Sequence, residues 1–278
     1  MKTLTRDTLR NAIPCAGLLL SLAACDGTDR TYPTAPPSPA GVAVSGWVWD
    51  SAFRPIAGTR IEIVNGTDAG LSTISSSSGQ FLLRGNFDAA TQFLATKDGY
   101  VGRSHVLGKL CATCAFYFFL DLTTPPVNIA GDYTLTFAAD SACPDLPDVV
   151  RTRSYPATIS PATRQNGSGS PSFRMTFPGV RLLEGYDYFD IFVAGDYVVF
   201  SVDRHEGSAL IEQLEPDSYF GIVGSASTSV GTALSNISIP LEGAFEYCKK
   251  RTSPSVGCAP DAKLRCESHS HRLVLKRR

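Results

Sequence analysis

The chain has 278 residues, of which 43% are hydrophobic and 18% charged, and its 25 Lys and Arg nearly balance 26 Asp and Glu. A protein so close to neutral is a poor candidate for nucleic-acid binding, which needs a clear excess of basic residues. Residues 249–278 are locally basic, with nine Lys or Arg against two acidic residues. We interpret this segment as a solvated strand face; lipid headgroups, lipopolysaccharide and an acidic glycan are alternative partners.

Residues 1–24 are predicted to be a secretory signal. Lys2, Arg6 and Arg10 precede an apolar run over residues 12–24. At about 1.5 Å per residue this run makes roughly 20 Å of helix, which is too short for a hydrocarbon core of roughly 30 Å. The sequence Leu-Ala-Ala-Cys at 22–25 resembles the lipobox of bacterial lipoproteins, which implies cleavage before Cys25 and lipidation of its thiol. The alternative is an ordinary secretory signal with no role for Cys25.

Residues 25–41 are predicted to form an extended tether, because the segment is rich in proline and poor in apolar residues. The acyl chains on Cys25 would then be the membrane contact of the protein. This combination predicts a lipid-anchored protein of the bacterial cell envelope, on its periplasmic or cell-surface side.

Residues 42–123 are predicted to form an antiparallel β-sandwich. Short β-rich runs such as VAVSGWVW, TRIEIV, TQFLAT and AFYFFLDL alternate with turn clusters, and no helical period is present. The stretch "VSGWVWDSAFRPIAG…SSSSGQFLLRG…FLATKDGY" resembles the carboxypeptidase regulatory-like domain, a transthyretin-like fold. The matching positions are Gly46, Val48, Asp50, Pro55, Gly58, Gly79, Phe81, Gly99 and Tyr100. The resemblance implies a seven-stranded Greek-key sandwich without activity of its own, with Val48 and Phe81 in the core.

Residues 129–278 are predicted to form an up-and-down β-barrel, similar in architecture to a lipocalin. Period-two runs such as YTLTF and FRMTF indicate strands with one buried and one wet face. Eight runs are expected: 131–139, 153–160, 172–180, 188–194, 197–203, 210–226, 232–247 and 271–278, with a tight hairpin at 194–197. Closure of the last strand on the first would remove the exposed edges. The segment looks like a C-terminal β module of bacterial lipoproteins with no assigned function.

Six cysteines remain once Cys15 and Cys25 are set aside: Cys111, Cys114, Cys143, Cys248, Cys258 and Cys266. An even number in an oxidising compartment predicts three disulfides. The loop between Cys111 and Cys114 is too short for these two cysteines to be expected to reach another one. Cys143 and the three C-terminal cysteines are expected to form disulfides at the barrel ends. A redox CxxC and a zinc site at Cys258, Cys266, His269 and His271 are the alternatives, the two histidines sharing one strand face. We expect no metal and no cofactor.

No catalytic motif is recognisable, so we expect a protein that is not an enzyme. The run Ser75–Ser78 is interpreted as a polar loop, and Asp187 and Asp190 as a solvated rim rather than a carboxylate pair or calcium site. His205 and Glu206 have no identifiable partner for a catalytic triad. An unrecognised hydrolase remains a third hypothesis, which a titratable pair in a cleft would support.

Aromatic residues are the candidate ligand-binding residues. Trp47 and Trp49 share a face of the first strand and are expected to point outward and stack on sugars, unless the tether or the second domain covers them. Tyr186 and Tyr188, beside Phe189, form a second cluster. We therefore predict an adhesion or extracellular polymer-binding lipoprotein, possible partners being a glycan or envelope polymer. The alternative is a carrier that holds a small apolar ligand inside the barrel.

Overall fold

The computed structural model describes residues 42–109, 113–163, 170–182, 188–204, 208–231, 234–249, 251–253, 256–258 and 263–278. The predicted signal, the lipidation site Cys25 and the tether lie outside these residues. The two β domains belong to one compact unit of the chain.

The first domain consists of seven strands in two sheets, as expected for the sandwich. The strands are β1 (Val42–Asp50), β2 (Arg60–Asn65), β3 (Ser72–Ile74), β4 (Gln80–Gly85), β5 (Gln92–Thr96), β6 (Arg103–Val106) and β7 (Thr113–Leu120). One sheet has the order β4-β1-β7 and the other β3-β2-β5-β6. Strands β1 and β7 run parallel, while the other pairs are antiparallel.

Alternating side chains fill the space between the two sheets. Val44 and Val48 of β1 are fully buried, and Phe81 and Phe93 pack against them from β4 and β5. Thus Val48 and Phe81 lie in the core, as expected. Gly46 lies on the core side of β1 at a position with no room for a side chain, since a Cβ there would lie 1.9 Å from the carbonyl oxygen of Phe116.

The turn after β1 is organised by a buried carboxylate. Asp50 is 1% exposed, and its Oδ1 accepts hydrogen bonds from the backbone N–H groups of Ala52 (2.8 Å) and Arg54 (2.9 Å). Its Oδ2 accepts from Nε of Arg54 at 2.7 Å. Both carboxylate oxygens of the buried Asp50 are therefore hydrogen-bonded, and these bonds fix the loop that contains Phe53 and Arg54.

The second domain consists of strands β8 to β19 and one helical turn, α1 (Asp148–Arg151). The strands are β8 (Gly131–Ala138), β9 (Thr152–Thr163), β10 (Pro171–Thr176), β11 (Tyr188–Ala194), β12 (Tyr197–Ser201), β13 (Asp203–Arg204), β14 (Ser208–Glu215), β15 (Ser218–Ser229), β16 (Asn236–Cys248), β17 (Arg251–Ser253), β18 (Val256–Cys258) and β19 (Lys263–Arg277). Strands β17 and β18 form a separate two-stranded sheet.

Eight of these strands close into an antiparallel barrel. Its circular order is β8-β9-β10-β11-β12-β15-β16-β19, and the last strand β19 pairs with β8. The predicted up-and-down closure is therefore confirmed. The predicted hairpin at 194–197 is also present, with Ala194 paired to Tyr197 across a two-residue turn.

The predicted single run at 210–226 is wrong, because two strands occupy it. The chain turns at Pro216 and Asp217, and β14 pairs back on the first half of β15. The second half of β15 pairs instead with β12, from Ser225 to Ser229. Proline cannot donate to a strand ladder, so the run breaks at Pro216 even though apolar alternation continues on both sides.

The barrel interior is filled by large side chains. Tyr133, Phe137, Phe189, Phe200, Phe220 and Phe245 are among its fully buried residues. Rings also contact one another across strands, with centroids 6.2 Å apart for Phe137 and Tyr155 and 5.9 Å for Tyr155 and Phe177. An eight-stranded barrel is just wide enough for such filling.

Disulfide chemistry agrees in part with the expected framework. Cys143 and Cys266 form a disulfide that links the loop after β8 to β19, which is one of the expected connections near the barrel end. Cys248 is also disulfide-bonded. Cys111 lies outside the described residues, as do the side chains of Cys114 and Cys258, so the remaining pairings stay predictions.

The sandwich and the barrel meet at the turn after β1. Ser51 Oγ donates to the carbonyl oxygen of Val193 at 2.7 Å, and the rings of Phe53 and Phe192 are 4.9 Å apart. The Arg54 guanidinium lies 4.5 Å from the ring centroid of Tyr197. The loop that Asp50 organises therefore lies against the β11–β12 hairpin.

Candidate binding site

Aromatic side chains cover the solvent side of the β4-β1-β7 sheet. The parallel register of β1 and β7 sets Trp47 beside Tyr117 and Trp49 beside Phe119. Phe53, from the turn after β1, continues the group beyond Trp49. We call these five residues the aromatic face.

The rings of the aromatic face are in mutual contact. Tyr117 is nearly parallel to both indoles, with centroids 5.6 Å from Trp47 and 5.3 Å from Trp49 and interplanar angles of 23° and 16°. The two indoles are themselves 6.4 Å apart. Such offset arrangements are favourable for aromatic rings and restrict their motion, so the three rings form a preorganised apolar surface.

The aromatic face is directed away from the sandwich core. Val44 and Val48 are fully buried, whereas Trp47 and Trp49 on the alternate positions are half-buried, as the sequence alternation predicts. Tyr117 is 51% exposed and Phe53 43% exposed. The sheet therefore presents large aromatic groups to solvent, an arrangement typical of binding surfaces.

Smaller and polar side chains lie beside the aromatic face on the same side of the sheet. Gln80 of β4 is opposite Trp47, and Leu82 is opposite Ser45. Across the sheet Ser45 is next to Ala115 of β7. The row that follows Trp47 and Tyr117 therefore has small side chains on β1 and β7 and the exposed Leu82 on β4, and Ser45 and Gln80 supply hydrogen-bonding groups there.

The aromatic face extends towards the second predicted cluster. Phe53 contacts Phe192 on the outer side of β11, and Tyr188 lies on that same side four residues earlier. Tyr188 stacks under the guanidinium of Arg174, 3.7 Å from its ring centroid, and Asp190 pairs with Arg174 at 3.7 Å. Tyr186 and Asp187 lie outside the described residues. The second domain thus contacts the aromatic face at the Phe53 end.

His271 lies in the barrel and does not belong to a catalytic triad. It is fully buried, and its Nδ1 accepts a hydrogen bond from the backbone N–H of Asp140 at 3.0 Å. Burial lowers the pKa of His271. Ser268 Oγ donates to the Asp140 carboxylate, a bond that lowers the pKa of Asp140, and not to His271. The three side-chain types of a hydrolase are present, but their bonds do not connect a nucleophile to a base.

The zinc alternative is not supported by the described residues. Cys266 is bonded to Cys143, so its thiolate is not available as a ligand. His269 is exposed and lies 3.0 Å from Glu242, whereas His271 is buried. The expectation that both histidines share a strand face is wrong, because a β-bulge between Leu241 and Gly243 shifts the register of β16 and β19. In the described part of the chain no group of three or more potential metal ligands is found.

A polar cluster inside the barrel had no sequence signal. Glu212 of β14 accepts hydrogen bonds from the Tyr155 hydroxyl at 2.7 Å and from Arg153 Nε at 3.2 Å. Tyr155 and Glu212 are buried, and burial raises the pKa of the Tyr155 hydroxyl. Since the cluster satisfies its own charges, we interpret it as structural. His205 and Glu206 lie outside the described residues.

The serine run at 75–78 is partly structural. Ser75 is buried, and its Oγ donates to the carbonyl oxygen of Ile56 at 2.7 Å and accepts from the N–H of Thr59 at 2.9 Å. Ser76 and Ser78 are exposed and bonded to one another at 3.0 Å. The expected polar loop therefore holds for the later residues, while Ser75 fastens the loop before β2.

Sequence reasoning found Trp47 and Trp49 but missed Tyr117, Phe119 and Phe53. The signal for Tyr117 and Phe119 is the alternation in AFYFFL, which puts them on the face opposite Phe116 and Phe118. That β7 lies beside β1 in a parallel pair has no local signature, because the pairing connects distant parts of the domain.

Comparison with protein-family models and with curated proteins gave no match. The resemblance to the carboxypeptidase regulatory-like domain therefore remains a prediction. Within the ranges that are described, no helix has the length and apolar character needed to cross a membrane.

Proposed function

We propose that this chain is a non-enzymatic, lipid-anchored protein of the bacterial cell envelope that binds extracellular polysaccharide through the aromatic face. The observation that carries the proposal is the contact among Trp47, Trp49 and Tyr117 on the solvent side of a sheet. The apolar faces of sugar rings stack on such aromatic surfaces, and neighbouring polar groups bind their hydroxyls.

The support of the aromatic face suits this role. Trp47, Trp49 and Tyr117 lie on two adjacent strands whose opposite faces are fixed in the core by Val48 and Phe118. A rigid support means that little conformational entropy is lost when a ligand binds. An open sheet surface also accepts a long polymer, whereas a closed cavity would accept only a short ligand.

The barrel interior is the less suitable binding site. A carrier of a small apolar ligand needs internal space, and the interior of this barrel is occupied by contacting aromatic rings, such as Phe220 and Phe245 at 5.6 Å. We therefore place the ligand on the sandwich and assign the barrel a structural or spacing role.

The absence of catalysis in this proposal rests on the bonding of the candidate groups. The Asp140 carboxylate and Ser268 are bonded to each other, and the buried His271 bonds to backbone groups. Glu212 is bonded to Tyr155 and Arg153. None of these described groups combines a free nucleophile with an adjacent base.

The test is affinity gel electrophoresis of the mature chain, residues 25–278, in gels that contain single polysaccharides, both neutral and acidic. We expect retardation in at least one gel, and we expect Trp47→Ala with Trp49→Ala to abolish it, because the stacking surface is lost. Ile74→Ala is the matched control, since Ile74 is 58% exposed on the opposite sheet.

A double variant that is folded by circular dichroism and retarded like the wild type would contradict the proposal. So would the absence of retardation in every gel. The predicted lipid anchor is tested separately by membrane fractionation of cells that express the full precursor. The wild-type protein should be found in the membrane fraction, and Cys25→Ala should move it to the soluble fraction.

A further inference from the structure

We infer that the aromatic face takes an acidic polysaccharide, one whose sugars carry carboxylate groups, and that Arg84 binds those carboxylates. This inference rests on the proposed function and names the chemical class of its ligand. The carrying observation is an arginine without a counter-ion on the same side of the sheet as Trp47.

Arg84 belongs to the outer side of the β4-β1-β7 sheet. Strand β4 buries Phe81 and Leu83, and it exposes Gln80, Leu82 and Arg84 on the alternate positions. Register with β1 sets Gln80 opposite Trp47 and Arg84 opposite Ala43. At about 3.3 Å per residue, the backbone of Arg84 lies roughly 13 Å from the row of Trp47 and Tyr117. That distance is within the reach of an oligosaccharide stacked on the indoles.

Seven arginines of the described part are paired with carboxylates. The pairs are Arg54 with Asp50, Arg60 with Glu62, Arg103 with Asp121, Arg151 with Asp148, Arg153 with Glu212, Arg174 with Asp190, and Arg265 with Glu246 and Glu267. No ion pair among the described residues involves Arg84; Arg181, Arg272, Arg277 and Arg278 also lack one, but they belong to the second domain and not to this sheet.

The side of the sheet around Arg84 is free of negative charge in its described positions. Its other residues there are Gln80, Leu82, Ala43, Ser45, Trp47, Trp49, Ala115, Tyr117 and Phe119. None of them is acidic; the carboxylate of Asp68 lies beside Gly85, where it accepts the backbone N–H of Asn86 at 2.6 Å and forms no ion pair with Arg84. Arginine binds a carboxylate through two parallel hydrogen bonds, which fix the orientation of the carboxylate in addition to the electrostatic attraction.

Between Arg84 and the indoles the sheet carries small side chains on β1 and β7 and one exposed leucine, Leu82, on β4. Ser45 and Ala115 occupy the intervening row on β1 and β7, and Ala43 lies opposite Arg84. A sugar can therefore approach the sheet between Trp47 and Arg84, with Ser45 and Gln80 beside it as hydrogen-bonding groups. Stacking on the aromatic rings fixes the chain, and the carboxylate contact selects acidic sugars over neutral ones.

The probes are sodium alginate and polygalacturonate, which are polymers of uronic acids, with dextran and hydroxyethylcellulose as neutral polymers. The mature chain should be retarded by at least one uronic acid polymer and less by the neutral ones. Arg84→Gln should weaken binding to that polymer about tenfold or more, which corresponds to about 1.4 kcal/mol. The exposed position of Arg84 makes a folding defect in this variant unexpected.

Lys97→Gln is the matched control, because it removes one positive charge from the opposite side of the sandwich, where Lys97 lies next to Gly58. It should bind like the wild type. Equal weakening by both variants would assign the effect to overall charge and overturn the role of Arg84. Retardation by a uronic acid polymer that Arg84→Gln leaves unchanged, or retardation by neutral polymers at least as strong as by the uronic acid polymers, would overturn this inference; the proposed function would stand as long as Trp47→Ala with Trp49→Ala abolishes the binding. If no polymer binds, both are wrong.

Discussion

At the scale of single residues, His269 and His271 differ in environment although they are two positions apart on β19. His269 is exposed beside Glu242, while His271 is fully buried against the ring of Phe245 at 4.4 Å. A bulge inserts an extra residue between them relative to β16. Period-two reasoning from the sequence assigns both to one face, and it fails here because a bulge has no reliable local signature.

We expect His271 to make the stability of the protein depend on pH. Burial lowers its pKa in the folded state below the ordinary value of about 6.5. Between those two values the unfolded chain binds a proton that the folded chain does not, so the free energy of unfolding falls as the pH falls through this interval. The stabilisation is fully present above about pH 6.5. His105, whose pKa is also lowered by burial, acts in the same direction.

Urea unfolding at about pH 8 and about pH 5.5 measures this dependence. His271→Asn should reduce the difference between the two free energies of unfolding, leaving the part that His105 supplies. His269→Asn should keep the wild-type difference, because an exposed pair with Glu242 contributes little. Asp140 has a lowered pKa and acts only at more acidic pH, so it does not enter the comparison. An unchanged difference in His271→Asn would refute the assignment.

At the scale of secondary structure, the barrel depends on a close approach of β15 and β16 at two glycines. Gly224 and Gly243 are paired, and a Cβ on Gly224 would lie 2.2 Å from the carbonyl oxygen of Glu242. A Cβ on Gly243 would lie 2.0 Å from the carbonyl oxygen of Val223. Gly224 also lies where β15 leaves β14 and joins β12. The pair therefore permits the close approach of the two strands at the position where β15 changes its pairing partner.

Alanine at either of these glycines should destabilise the barrel by about 1–3 kcal/mol or more, because backbone atoms cannot yield to the new methyl group. The positive φ of Gly224, 148°, adds strain to that variant. Thermal and urea unfolding measure the loss. Gly102→Ala is the control, since its Cβ would meet nothing closer than 3.4 Å. If Gly224→Ala and Gly243→Ala are as stable as Gly102→Ala, the prediction is wrong, because β15 and β16 can then move apart to admit a methyl group without loss of stability.

Sequence reasoning was most successful for the strands with one buried and one wet face. Strand β11 was predicted with its observed ends, Tyr188–Ala194, because its pattern alternates without interruption. The short strands β3 and β6 have no fully buried residue and were expected only from the resemblance to a seven-stranded family. Residues 210–226 carry apolar side chains on both sides of Pro216, which hid the turn between β14 and β15.

At the scale of the whole molecule, the candidate site could be predicted only in part. Trp47 and Trp49 follow from alternation within β1, but their contacts with Tyr117 and Phe53 depend on pairing and loop geometry. The same is true of Arg84, whose position opposite Ala43 requires the register of β1 and β4. Such relations arise between segments that are distant in sequence, so local patterns do not encode them.

The junction between sandwich and barrel is a second long-range feature, and it should make the two domains unfold together. Phe53 contacts Phe192, and Arg54, which is fixed by Asp50, lies over Tyr197. Contacts of these two kinds contribute about 0.5–1.5 kcal/mol for an aromatic pair and about 0.5–2 kcal/mol for a cation over a ring. Their total, about 1–3.5 kcal/mol, is a sizeable fraction of the roughly 5–15 kcal/mol by which a domain is stable, so we expect it to couple the unfolding of the two domains.

This coupling can be measured because the two tryptophans of the chain, Trp47 and Trp49, both lie in the sandwich. Tryptophan fluorescence follows the sandwich, whereas far-ultraviolet circular dichroism follows both domains. In the wild type the two unfolding curves should coincide. Phe192→Ala with Tyr197→Ala should separate them, while Val149→Ala, an exposed position on α1, should not. Coincident curves in the double variant would mean that other contacts couple the domains, and separate curves in the wild type would mean that the junction does not couple them at all.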